Sequence, residues 1–236
     1  MEFPKKIDDR LKDAIVDLQF ASNVPLETMA GYFHSMNVQE LQDNPAFSSI
    51  NLIAQGLVIE SNQTFFLTKD GCFRINVTGK NITFNLVNKY EGWDNYFPII
   101  KKMTKPIFEN NLIGQVQRIG VRYINQFDSI RIFDQIKATI RFDAAPVNSR
   151  GQFRIEFEQD GFLCIVTLVN SYPASPPNDN KYLSLFDVDI VKNISENQKI
   201  THEETIAIIN DAHITEKKVF FSLLKNDFLR TLNPVY

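Results

Sequence analysis

The stretch Val116 to Phe127, VQRIGVRYINQF, constrains the fold more than any other, because it reads as a strand with two unlike faces. Side chains alternate along a strand, so Ile119, Val121 and Tyr123 fall on one side and Arg118 and Arg122 on the other. Such a segment must bury one face and keep the other in or near water. The same demand recurs. Asp13 to Ala21 sets Ala14, Val16, Leu18 and Phe20 on one face. Gln152 to Glu158 points Phe153, Ile155 and Phe157 inward and Arg154, Glu156 and Glu158 outward, and pairs as a hairpin with Gly161 to Val169 across Gln159-Asp160. Tyr182 to Val191 alternates Phe186, Val188 and Ile190 with Leu185, Asp187, Asp189 and Val191. Half-buried antiparallel sheet accommodates this pattern.

Helical signals separate the strands. Pro25 opens a helix whose stripe is Leu26, Met29, Ala30 and Phe33. Residues 93–109, WDNYFPIIKKMTKPIFE, read as a helix that tolerates Pro98 in its first turn and is kinked or ended by Pro106. Thr201 and Glu204 have capping-box spacing ahead of a long helix with the stripe Ile206, Ile209, His213, Phe220, Leu224 and Phe228. Between these lie short strands: residues 48–55 and 56–60 as one strand or a bent pair, then 64–68, 72–77 and 82–87, with turns at Lys69-Asp70-Gly71 and Thr78 to Asn81. Residues 134–142 read as a strand, with a helix as the alternative, and 171–180 as a loop. The expected fold is α+β: a mixed, mainly antiparallel curved sheet packed on helices. It divides into β-rich halves at residues 1–112 and 113–236, each ending in a helix, or else forms one continuous domain.

Composition excludes more than it assigns. Hydrophobic residues make up 44% of the 236 and charged residues 22%, the balance of an ordinary globular chain. The net charge of -3 shows no overall basic excess of the kind that duplex nucleic-acid binders carry. The first residues lack an apolar signal core, and no run of about 18 apolar residues is present, so a cytoplasmic protein without a membrane span is expected. The two cysteines, Cys72 and Cys164, sit in apolar runs and read as buried, unreactive thiols. There is no Walker A loop, dinucleotide fingerprint or nucleophile elbow. No catalytic residue, metal or cofactor is therefore assigned, and the enzyme question leans to no.

Several segments together resemble a sporadically distributed bacterial protein family. They are DAIVDLQF, the Trp93 helix, RIGVRYIN from Arg118 to Asn125, LFDVDI from Leu185 to Ile190, and the last helix from His213 to Phe220, with its end near Asn233-Pro234. The resemblance spans nearly the whole chain. It implies no particular activity. The family's patchy occurrence is like that of mobile genes, among them defence and toxin–antitoxin components.

Two candidate interaction regions remain. One is an outward sheet face bearing Arg118, Arg122, Arg154, Glu156, Asp187 and Asp189, either a platform for a partner or anionic ligand, or a solvated face laced with ion pairs. Asp187 and Asp189, two residues apart on one strand, also have the spacing to share a hard cation with Glu156. The other is the loop with Tyr172, Pro173, Pro176 and Pro177, an extended segment that is cheap to order on a partner. Of the histidines, His202 is expected at the surface, His34 near a helix C-terminus, and His213 packed in the interior. Phe65-Phe66 and Phe73-Arg74 suit a core better than a base-stacking platform, and Lys101, Lys102 and Lys105 read as a solvated helix face. The leading expectation is a non-enzymatic protein-binding module, with homo-oligomerisation open. Nucleic-acid binding or processing on the charged face is the alternative. A small-ligand pocket beneath the sheet, closed by the last helix, is a third reading.

Overall fold

The alternating segments become strands because their apolar faces meet helices. The computed structural model describes residues 3–8, 10–43, 46–54, 57–138, 150–173 and 182–236, with the backbone alone for 46–54, 57–63 and 173. The strands are β1 (Leu11–Ser22), β2 (Ala46–Ala54), β3 (Leu57–Leu67), β4 (Phe73–Val77), β5 (Asn81–Leu86), β6 (Ile113–Asp128), β7 (Gly151–Gln159), β8 (Phe162–Pro173) and β9 (Tyr182–Asn193). The helices are α1 (Leu26–Asn37), α2 (Trp93–Glu109), α3 (His202–Leu223) and the short α4 (Asn226–Thr231). The fold is α+β with antiparallel sheet, as the alternation predicts. The described chain forms two compact units, each discontinuous: residues 15–120 with 192–210, and residues 1–14 with 121–191 and 211–236. They do not coincide with halves divided at residue 112, since β1, β6 and α3 each contribute residues to both.

In the unit of residues 15–120 and 192–210, the strands lie in the order β2-β3-β4-β5-β1-β6. β2 and β3 form a hairpin with Ala54 opposite Leu57, which resolves the choice between one strand and a bent pair. Val16, Leu18, Phe20, Ile75, Ile82 and Phe84 are all buried. Helix α1 sets Phe33 against Phe66 at 5.4 Å. Helix α2 stacks Tyr96 on Phe73 at 4.4 Å, and the Tyr96 hydroxyl donates to the Phe84 carbonyl. Pro106 does not stop α2, which runs three residues further to Glu109. A proline removes only its own N–H and the bond to the carbonyl four residues back, a small loss so near the helix end.

In the other unit the order is β6-β9-β8-β7. Buried Val121 and Tyr123 from β6, Phe186, Val188 and Ile190 from β9, and Cys164, Val166 and Leu168 from β8 form its sheet core. Helix α3 covers it, with Phe220 5.0 Å from Phe186 and His213 5.5 Å from Tyr123. The capping box at its start is formed: Thr201 N–H donates to Glu204 Oε2 and Glu204 N–H to Thr201 Oγ1. Asp160 and Gly161 both take positive φ, the backbone that a two-residue hairpin turn requires.

Three expectations are corrected here. Residues 132–134 form a 3-10 turn and Ile136 bridges to Leu224, so no strand starts at Asp134; residues 139–142 lie outside the described residues. The loop expected from Ser171 begins later, because β8 continues through Tyr172 and Pro173 past a bulge at Ser171, whose N–H is held by Ser184 Oγ. Pro176 and Pro177 lie outside the described residues. Finally, Phe153, Ile155 and Phe157 are not buried: β7 is last in its order, and Ile155 is 44% exposed.

Two ionisable groups on α3 give this unit a pH signature. Burial pushes His213 down from 6.5 to about 3 and Glu216 up from 4.5 to about 8. For His213 the unfolded chain takes up the proton first, so stability is lost as pH falls from 6.5 toward 3. For Glu216 the folded state holds the proton more tightly, so stability is lost as pH rises from 4.5 toward 8. The slopes oppose each other between these ordinary values. Stability is therefore expected to plateau at mildly acidic pH and to fall by about 2 kcal/mol on raising the pH to about 8. Glu216→Gln should remove that alkaline fall and leave the His213 slope unopposed, so that stability rises by about 1 kcal/mol between about pH 5.5 and about pH 8, as read by urea melts at those two values.

Candidate functional site

The outward face of β6 supplies each unit with one arginine, and each arginine is held by an aspartate from a neighbouring strand. In the unit of residues 15–120 and 192–210, Arg118 Nη1 donates to Asp17 Oδ2 at 3.0 Å. Asp17 also accepts from Gln19 Nε2 at 3.1 Å, Asn81 Nδ2 at 3.1 Å and Thr83 Oγ1 at 2.8 Å, which occupies both carboxylate oxygens twice. Gly120, between the arginines on the same face, leaves room for this. A Cβ there would stand 3.2 Å from Arg118 Nη1, so the guanidinium lies across the bare glycine.

In the other unit, Arg122 grips Asp187 with two bonds, Nε to Oδ1 at 2.8 Å and Nη2 to Oδ2 at 2.6 Å. This parallel fork is the strongest arginine–carboxylate geometry. The bond to Asp187 raises the pKa of Arg122 above its ordinary value, and Asp189 and Asp13 add to the field. In register, Asp187 lies opposite Thr167 on β8, and Thr167 opposite Arg154 on β7. Arg154 itself turns to Glu156 on its own strand, at 2.6 Å and in the open.

Of the six residues expected on one face, the structure joins Arg122 with Asp187, brings Asp189 into their field, and joins Arg154 with Glu156. Arg118 answers to Asp17, which sequence reasoning missed. The signal was present, because alternation in DAIVDLQF puts Asp17 opposite the buried Val16 and Leu18. Ion pairing, rather than an open charged platform, describes the arginines. Among the described residues no group of three or more His, Cys, Asp or Glu is placed to hold a metal ion.

The remaining candidates sort by burial. Phe66 and Phe73 are core residues, while Phe65 lies under the Arg74 guanidinium at 5.6 Å. Lys102 pairs with Glu40, and Lys105 with Glu109. Cys164 is buried, but Cys72 is only partly so; burial raises both thiols' pKa, and Asp70 adds to the effect at Cys72. His34 stacks on Phe66 in the last turn of α1, and His213 is packed as expected. His202 is not at the surface: it is 7% exposed, with Nε2 3.0 Å from Thr104 Oγ1 and its ring 5.2 Å from Phe108. A position after a helix cap is exposed only if nothing packs on that side, and here α2 does. Tyr172, in β8, is 53% exposed.

Neither protein-family models nor curated proteins give a match to this chain.

The Arg122–Asp187 fork should couple measurably to stability. Asp187 keeps 13% side-chain exposure and Arg122 43%, so the pair sits between the surface and buried limits. Arg122→Ala is expected to cost about 1–2 kcal/mol, less than the loss from breaking a fully buried pair. A double-mutant cycle with Asp187→Ala should recover most of that as coupling energy in denaturant melts.

Proposed function

We propose that this protein is a non-enzymatic binding module for another protein and that the β7 edge receives the partner. The observation that carries this reading is the stripe Phe153, Ile155 and Phe157. In register these residues lie opposite Leu168, Val166 and Cys164, all buried, so they belong to the face that is core on β8. On β7 that face is only partly covered, and Ile155 is 44% exposed. Among the described residues, β7 pairs with β8 alone, which leaves its other backbone edge open for strand addition. An extended strand of a partner fits both features: its backbone continues the ladder and its side chains cover the stripe. Arg154, Glu156 and Glu158 on the opposite side of β7 supply charge for partner choice.

The resemblance to a patchily distributed bacterial family points first to a partner encoded beside this protein, as in defence or toxin–antitoxin pairs. The nucleic-acid alternative draws less support, since Arg118, Arg122 and Arg154 each hold a carboxylate.

Ile155→Lys tests the reading, because a charge on an exposed edge position changes stability little. A tagged wild-type chain should retain a stoichiometric protein partner, and Ile155→Lys should weaken that complex by roughly tenfold or more with unchanged melting. Equal retention by wild type and variant would overturn the β7 assignment. Sedimentation of the purified chain distinguishes a second copy on this edge from a different partner.

A further inference from the structure

A cavity of about 440 Å³ opens beside the end of α2 and the start of α3, within the unit of residues 15–120 and 192–210. That size lies within the range of small-molecule sites. Phe108, Ile113, Val116 and Ile200 give it apolar walls. Its charged lining is balanced, with Lys105 and Lys199 against Glu109 and Glu203, so it sets no preference for a charged ligand. Asn111, Gln115 and Thr201 also line it at exposed or half-buried positions, and His202, 7% exposed, is the buried polar group of the lining.

Thr104 determines which nitrogen of His202 carries the proton. The Thr104 hydroxyl has a single hydrogen and donates it to the Ile100 carbonyl at 2.7 Å. With the hydroxyl hydrogen on the Ile100 carbonyl, the 3.0 Å contact assigns the imidazole Nε2–H as the donor. Burial holds the His202 pKa below its ordinary value; Lys101 and Lys105 push the same way, against Glu203 and Glu109. The ring is neutral at neutral pH, with its proton on Nε2 and a bare lone pair on Nδ1. Among the described residues the hydrogen bond of the His202 ring is the one at Nε2. The start of α3 thus presents a hydrogen-bond acceptor at a cavity with apolar walls and a polar rim.

We infer that this cavity binds a small uncharged aromatic or heteroaromatic molecule whose single N–H or O–H donates to His202 Nδ1. The ligand's ring packs on Phe108, whose own ring lies 5.2 Å from the imidazole. An apolar ligand without a donor leaves the acceptor desolvated and unpaired, and that asymmetry sets the specificity. This site is independent of the β7 edge.

Indole and N-methylindole make the test, since they differ in the one donor. Titrated into the full chain and followed by NMR of the histidine ring nitrogens, indole should perturb His202 and bind roughly tenfold more tightly than N-methylindole. The ring spectrum of the unliganded protein should show the Nε2-protonated form. His202→Phe, which keeps an aromatic ring and removes the acceptor, should erase the difference between the two ligands. Equal affinity of the two for the wild-type chain, no binding of indole at millimolar concentration, or discrimination that survives His202→Phe would each overturn the inference. The wild-type comparison stands whether or not the variant folds.

Discussion

Everything in this structure depends on β6 having two faces that cannot exchange. A one-residue slip would carry Arg118 and Arg122 into the core and put Ile119, Val121 and Tyr123 in water. Burial of the apolar side therefore sets the register of β6 in both units at once. The opposite side then meets the aspartates of β1 and β9 at fixed positions, which is why Asp17 and Asp187 each find an arginine. Gly120 belongs to the same constraint: a side chain between the two arginines would crowd the Arg118 guanidinium.

These ion pairs follow a register that apolar burial sets. Partly exposed pairs contribute modestly to net stability, but leaving a half-buried aspartate without its arginine is costly. The four donors around Asp17 make the point. A carboxylate saturated by its own unit has little left to offer a ligand. Among the described residues, what remains for a partner or ligand lies elsewhere, on the half-covered stripe of β7 and at the cavity beside His202.

Much of this was readable from residue order, because period and spacing are local properties. The alternating faces of β1, β6 and β9, the Thr201–Glu204 box and the Asp160-Gly161 turn are each settled by neighbours within a few residues, and so is the α3 stripe as far as Phe220. The stripe expected to continue to Leu224 and Phe228 breaks, because α3 ends at Leu223 and Phe228 lies in α4. α2 was legible from residue 93 to 109, although Pro106 argued for an earlier end, and Pro98, expected in the first turn, lies past it. Expectations failed where an outcome depended on a distant element. Ile155 alternates like a core residue and is exposed, because β7 stands last in its order. His202 follows a cap like a surface residue and is buried, because Thr104 and Phe108 arrive from α2.

The sequence by itself determined which faces must be apolar, where helices start, and that no familiar catalytic or nucleotide-binding motif is present. Those outcomes follow from backbone periodicity and local hydrogen bonding, which act over a few residues. Only tertiary structure decided which carboxylate each arginine holds, which described strand stands last in its order, and which histidine lies buried beside a cavity. These depend on segments brought together from far apart in the chain. Arg118 and Asp17 are separated by 101 positions and Thr104 and His202 by 98, and no local pattern encodes such a meeting.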